Sequence, residues 1–345
     1  MLLMFRSIYV FLLVFCFWWT PGGANDEEPV SRILFGSCVK QQKAVPIFDV
    51  IVNHDPDLFL FLGDNIYGDT SDMDVMRRKY EELGLKPGFV ALRNTCPIMA
   101  TWDDHDYGIN DGGADFEMRE ESQKEFVEFW QDPQSSPRRK RAGVYDSRIF
   151  GPVGRRTQVI LLDARYFRGP LKKGKRRVGG PYYPSYDPSV TMLGEEQWEW
   201  LEDQLKKPAE VRLICTGIQL LAEASGQETW SNLPYERIRF LKLIKKTEAN
   251  GVLVLSGDRH WAELSKDDEL VPYPIYDLTS SSLNQSHLRG TPTENRFRVS
   301  ETTYHRENFG EVEIDWKESL IHLRIRDIEG NVKIQREIEL SELEE

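Results

Sequence analysis

The chain has 345 residues, 40% of them hydrophobic and 29% charged, with 25 glycines and 18 prolines. That composition excludes a collagen-like, low-complexity or polytopic membrane chain, and the length suffices for one large α/β domain or two modest ones. Acidic residues outnumber basic ones by 56 to 44, a net charge of −12. Such a surface disfavours non-specific binding to nucleic acid or to an anionic membrane. It leaves room for a small anionic substrate, because bound metal ions reverse the local sign.

Residues 1–24 read as a secretory signal peptide. Arg6 precedes an unbroken apolar run from Ile8 to Trp19, Thr20-Pro21 ends it, and Gly22-Gly23-Ala24 supplies small residues for cleavage. The run is short for a bilayer-spanning helix, which needs about 20 apolar residues; an uncleaved N-terminal anchor is the alternative. The expected mature chain, residues 25–345, is therefore secreted or lumenal. Losing Cys16 leaves three cysteines, which cannot all pair within one chain. Cys96 and Cys215 either form a disulfide in an oxidising compartment or stay as buried thiols. Asn284-Gln285-Ser286 is an N-glycosylation sequon and predicts a glycan on a surface loop.

Short apolar runs that stop at polar, often acidic, residues recur along the mature chain. Arg32-Ile33-Leu34-Phe35 leads to Gly36-Ser37-Cys38, and Leu58 to Leu62 leads to Gly63-Asp64. Pro97 to Thr101 leads to Trp102-Asp103-Asp104-His105-Asp106, Val159 to Leu162 to Asp163, and Arg212 to Cys215 to Thr216-Gly217. Val252 to Leu255 leads to Ser256-Gly257-Asp258-Arg259-His260. Continuous apolar runs of this length predict strands buried on both faces. Helical patterns separate them over Asp72 to Leu83, Glu117 to Trp130, Gly194 to Leu205 and Arg237 to Thr247. The alternation is that of an α/β fold, in which ligands bind at the carboxyl ends of strands. After Phe309 the pattern switches to polar–apolar alternation, with a Gly330-Asn331 turn, and predicts an antiparallel meander.

The strand ends carry the chemistry. Asp64, Asp103, Asp104, Asp106 and Asp258 would repel one another on one sheet edge unless a cation neutralised them. Carboxylate and imidazole ligands suit divalent metals, and the Cys38 thiolate and Tyr67 phenolate would add donors suited to ferric iron. Each residue alone has a plainer reading: a turn aspartate, a core tyrosine, a buried cysteine. Three strand ends bearing acids and imidazoles together favour a metal site.

Six ordered motifs then resemble those of the alkaline phosphatase D (PhoD-like) metallophosphatases. They are Phe35-Gly36-Ser37-Cys38, Leu62-Gly63-Asp64-Asn65-Ile66-Tyr67-Gly68, Thr101 to Asp106, Leu162 to Arg168, Leu193 to Trp198 and Ser256 to His260. The resemblance spans about residues 32–330. It implies the calcineurin-like metallophosphoesterase fold, two packed mixed β-sheets flanked by helices as an α/β/β/α sandwich. It further implies that Cys38, Asp64 and Tyr67 hold a ferric ion, with Asp64 shared between neighbouring metals. The remaining ions would be calcium, or another divalent metal, bound through Asp64, Asp104 or its neighbour Asp103, and Asp258, and Asp258 and His260 match the family's last metal motif. His105 takes the place of the family's proton-donating histidine. Asn65 stands where many members have another residue, which leaves its role open. Bacterial members carry a sandwich domain before the cysteine motif. With Cys38 only 14 residues beyond the expected cleavage point, that domain is expected to be absent. No C-terminal cap over the active site is recognisable by pattern, and without one the pocket would admit larger substrates.

The expected function is metal-dependent hydrolysis of phosphomonoesters, phosphodiesters or both, by a metal-activated water. The alternative is a secreted, non-catalytic binding protein retaining the fold. Arg165 and Arg259 either grip phosphate through their planar forks or pair with nearby acids. Two basic clusters, Arg138 to Arg141 and Lys172 to Arg177, read as exposed loops. They could guide anionic substrates, and the first could be a proprotein-convertase site after Arg141.

Overall fold

The computed structural model describes residues 26–223, 226–288 and 294–345, so the expected leader lies outside the described residues. The first half runs β1 (Arg32–Gly36), α1 (Ile47–Asn53), β2 (Leu58–Leu62), α2 (Met73–Gly84), α3 (Pro87–Thr95), β3 (Ile98–Thr101), α4 (Asp104–Tyr107) and α5 (Arg119–Phe129). It continues through β4 (Asp146–Phe150), β5 (Thr157–Leu161), β6 (Lys172–Lys173), β7 (Tyr182–Tyr183), α6 (Gly194–Leu205), β8 (Val211–Thr216) and α7 (Pro234–Thr247). The last part holds β9 (Val252–Ser256), β10 (Ala262–Asp267), β11 (Ile275–Ser280), β12 (Asn308–Asp315), β13 (Leu320–Asp327) and β14 (Val332–Glu339).

Two six-stranded mixed sheets result, ordered β14-β13-β12-β1-β2-β3 and β10-β11-β9-β8-β5-β4. Strands β1, β2 and β3 are parallel, as are β5, β8, β9 and β11. The carboxyl ends within each set therefore leave on one edge of its sheet. Alternation along the first sheet sorts the core. Ile33, Phe35, Leu58, Leu60 and Leu62 join the apolar cluster shared with the second sheet and with Trp198, Leu201, Phe240 and Ile244 of α6 and α7. Leu34, Phe59 and Phe61 face the opposite way, onto Phe48, Tyr80 and Phe89 of α1, α2 and α3. This is the expected α/β/β/α arrangement. The meander β12–β13–β14 extends the first sheet by antiparallel pairing with β1.

Helix α3 lies where no helix is predicted, because its opening Pro87-Gly88 reads as a turn. Proline is tolerated at a first helical position. A Cβ at Gly88 would come within 2.9 Å of Phe48 Cβ, so the glycine permits close packing on α1. Cys96 and Cys215 are both buried and unpaired, and they sit in different apolar clusters. They are packing residues, and no disulfide joins them.

Two surface-loop expectations need correcting. The Asn284 side chain is buried; its Oδ1 accepts from the Lys40 amide at 2.6 Å, and its Nδ2 donates to the carbonyls of Lys40 and Ala44 at 3.0 and 3.1 Å. A glycan on that nitrogen would break the ties, so the sequon is structural. The cluster Arg138 to Arg141 is folded in as well. Arg138 places a bidentate fork on Asp132 at 2.7 and 2.6 Å and donates to the Ala100 carbonyl, which fastens the loop to β3. The Arg141 guanidinium stacks on Tyr145, and its carbonyl accepts from Gln123. A convertase needs an extended, open segment, which this is not.

Removing one partner of a buried ion pair strands the other charge. Asp132→Ala should therefore destabilise the fold by about 3–5 kcal/mol, measurable by urea denaturation. A loss of about 0.5 kcal/mol, typical of an exposed pair, would show that the fork does not pin the loop.

Candidate metal centre

The turns after β1, β2, β3, β9 and β11 meet at one end of the two sheets. Their backbones are bent unusually: Cys38, Asp64, Asp258 and His260 all have positive φ, between 50° and 66°. Non-glycine residues in that region are strained, and such strain concentrates at functional sites. Gly63 and Gly217 let the turns close. A Cβ at either would come within 2.4 Å of the Asp103 side chain. Asp106 holds two of the turns together. Its Oδ1 accepts from the Asp64 and Asp103 amides at 3.0 and 2.8 Å, and its Oδ2 accepts from the Asn65 amide and side chain. Asn65 also donates to the Thr101 carbonyl at 2.8 Å, which gives it a bracing role.

Candidate ligand atoms group within 4.8 Å of one another in overlapping sets. Cys38, Asp64 and His260 form one set. The Tyr67 hydroxyl joins it, 3.3 Å from Asp64 Oδ2 and 2.8 Å from His260 Nε2. Asp64, Asp103, Asp104 and Asp258 form a second, made only of carboxylates, and Asp64 with Asp104 and His105 a third. Asp64 belongs to all three. The first set offers thiol, phenol, imidazole and carboxylate, the donors that suit ferric iron; the second offers the hard oxygens that suit calcium. A buried oxygen without a partner, Asp103 Oδ2, belongs to the carboxylate set. The residues thus fit the ions that the resemblance implies.

Electrostatics describe the same crowding. Burial pushes the Asp64 carboxyl well above its ordinary value, with help from Asp104, Asp103 and Asp106 and against His105. Burial, then the Asp64 charge, raises the Cys38 thiol; burial, then Cys38 and Asp64, raises the Tyr67 phenol. A cation among these groups reverses the tendency, because it stabilises each anionic ligand. Burial, then Arg259, lowers His260 to about 3, so its imidazole is neutral and able to ligate. Burial opposes charge on His105 also, but Asp64, Asp69 and Asp104 outweigh it and push the ring up to about 11. His105 Nδ1 pairs with Asp69, and the ring lies 4.2 Å from that of Tyr67, centroid to centroid.

Arg165 and Arg259 are both paired with acids. Arg165 is fully buried, with Nε on Asp103 Oδ1 at 2.6 Å and Nη1 on Glu228 at 2.8 Å. Of its two readings the structure contains the ion pair, while its Nη2 has no hydrogen-bond partner. Arg259 is likewise paired with Asp258 and donates to the Glu228 carbonyl. Asp103 and Asp104 both point inward: Asp103 is held by Arg165, and Asp104 takes the amides of His105 at 2.9 Å and Asp111 at 2.6 Å. Sequence reasoning missed Asp69, Asp111, Glu228 and Ser281. Asp111 and Glu228 complete a further group with Asp104. Ser281 Oγ lies 3.3 Å from Cys38 Sγ and accepts from the His260 amide at 2.8 Å. Gln197 brackets the backbone of Asp163, which accounts for the Leu193-to-Trp198 motif structurally.

The family model described as PhoD-like phosphatase matches residues 33–325. Alkaline phosphatase D of Bacillus subtilis is 28% identical over 142 residues, a match that spans 38% of this chain and only 23% of that relative. The solved structure of PhoD superposes with a TM-score of 0.68 at 18% identity, covering 92% of this chain and 73% of that one. GAP50, the anchor in the inner membrane complex of Plasmodium, gives 0.57 at 14% identity over 90% and 89% of the two chains. A dimetal phosphatase from Danio rerio gives 0.53 at 12% identity over 91% and 100%. Likenesses this remote establish the fold alone; the family model, matched across most of the chain, establishes that the protein belongs to the PhoD-like phosphatase family.

Proposed function

We propose that the chain is a secreted, metal-dependent phosphoesterase acting on phosphomonoesters, phosphodiesters or both. The observation that carries this reading is Asp64, common to three sets of candidate ligands at a strained, buried turn. Cys38, Tyr67, His260 and Asp64 would hold ferric iron, and Asp64, Asp103, Asp104 and Asp258 would hold calcium or another divalent ion. Such ions, when bound, neutralise phosphoryl oxygens and lower the pKa of a bound water. Asp106 and Asn65 keep the Asp64 and Asp103 turns in register. Arg165 fixes one Asp103 oxygen and so orients the other. Asp69 holds His105 at Nδ1, which leaves Nε2 to protonate the departing oxygen. The apolar leader before residue 25 supports export of the mature chain.

A second reading has one observation behind it: a protein described as an anchor shares this fold. The gathering of three buried carboxylates and the partly buried Asp258 beside a thiol argues for catalysis, since a binding protein has no use for them.

Asp64→Asn or Asp258→Asn removes charge that holds the cations. Metal content by elemental analysis and hydrolysis of an aryl phosphate should then fall together; activity lost with full metal retention would remove these residues from ligation. His105→Ala should keep its metals and lose about 10²- to 10⁴-fold in rate on an alkyl phosphate. The loss should shrink on a nitrophenyl ester, whose leaving group needs no proton. Equal impairment on both would move His105 out of acid catalysis. Thiolate and phenolate donors to Fe(III) give charge-transfer colour, so active enzyme should be coloured and Tyr67→Phe should shift or bleach the band. Colourless, iron-free active enzyme would return Cys38 and Tyr67 to packing roles.

A further inference from the structure

The second basic cluster is a built element beside the metal centre. Strands β6 and β7 pair Lys172 with Tyr183 and Lys173 with Tyr182. The loop between them is closed by backbone bonds, Gly174 to the Pro181 carbonyl at 2.9 Å and Arg177 to the Gly180 carbonyl at 2.8 Å. Arg177 stacks on Tyr183, its Cζ 4.1 Å from the ring centroid, and donates to the Tyr182 carbonyl at 2.6 Å. Tyr182 hooks the hairpin to the site: its hydroxyl donates to Asp111 Oδ2, while the Asp111 amide donates to Asp104. The Tyr182 amide also bonds the Gly226 carbonyl at 3.1 Å, on the loop that carries Glu228. A single tyrosine ring separates the Lys173 ammonium, 5.6 Å above its centroid, from the Asp111 carboxylate.

Lys172, Lys173, Lys175 and Arg176 are exposed, and among the described residues none of them forms an ion pair. Four unpaired cations on a braced hairpin, in a chain of net charge −12, form a local positive field at the edge of an anion-processing site. Such a field attracts anions and is screened by salt.

We propose that this hairpin recognises a second phosphoryl group, so that the preferred substrates are phosphate esters carrying at least one further phosphate beyond the scissile one. The inference rests on the phosphoesterase reading and narrows its substrate class. Arginine and lysine side chains are suited to this role, the guanidinium by its fork and the ammonium as a mobile point charge.

The test uses the metal-loaded, full mature chain. Fructose 1-phosphate and fructose 1,6-bisphosphate are compared as competitors of aryl phosphate hydrolysis, in wild type and in a variant with Lys172, Lys173, Lys175 and Arg176 all changed to Gln. A second variant with Lys124, Lys242, Lys245 and Lys317 changed to Gln alters the net charge equally at exposed positions elsewhere. Wild type should bind the bisphosphate about tenfold or more tightly than the monophosphate at low salt, within the range that local fields produce. The hairpin variant should lose that ratio, and the charge-matched variant should keep it. An unchanged ratio in the hairpin variant, or an equal fall in both variants, overturns the proposal. So does sedimentation with phosphatidylserine vesicles that depends on the same four cations while the ratio stays unchanged, which would assign the hairpin to a lipid headgroup. Absence of aryl phosphate hydrolysis by wild type is a different result, and would instead sink the phosphoesterase reading.

Discussion

Four carboxylates, those of Asp64, Asp103, Asp104 and Asp258, are gathered with their oxygens within 4.8 Å of one another at the end of two apolar sheets. Buried like charges at that distance repel strongly, and most of the surrounding architecture manages that repulsion. Arg165 sits fully buried against Asp103, Arg259 against Asp258, and His105 takes positive charge from its acidic neighbours. These cations leave part of the cluster unanswered, since Asp103 Oδ2 has no partner. Metal ions bound there would complete the balance.

The sheets make the gathering possible. Parallel strands deliver their following turns to one edge, and a ligand crevice forms where several such edges meet. Apolar runs from β1 to β9 anchor the strands, so the turns after β1, β2 and β9 can adopt left-handed φ at Cys38, Asp64, Asp258 and His260 and still be held. Asp106 and Asn65 link neighbouring turns by hydrogen bonds, and Gly63 and Gly217 give Asp103 its space. Catalytic side chains on these turns inherit the rigidity of the core beneath them.

Much of this was legible in the residues. Continuous apolar runs predicted the buried strands, because a strand covered on both faces needs no polar alternation. The switch to alternation after Phe309 predicted the meander, whose outer strand β14 is exposed on one face. The acids and imidazoles of the strand ends were visible because they follow those runs directly. Asp111 and Glu228 were not: they lie on long loops, and Glu228 meets Arg165 across 63 residues of chain. Asn284 and Arg138 misled for a related reason. A sequon or a basic run is defined by local spelling, whereas burial is decided by distant partners such as Lys40 for Asn284 and Ala100 for Arg138. Arg165 shows the same limit, since a phosphate fork and a buried ion pair have identical sequence signatures.

The central claim is that the carboxylate cluster works only with its cations. It is tested most directly by stripping the purified protein with a chelator and titrating ferric and calcium ions back, while following hydrolysis of nitrophenyl phosphate and bis(nitrophenyl) phosphate. The account predicts that activity disappears on stripping and returns in proportion to metal bound, saturating at more than one ion per chain. Undiminished hydrolysis by fully stripped protein, or saturated metal binding without any hydrolysis, would contradict it.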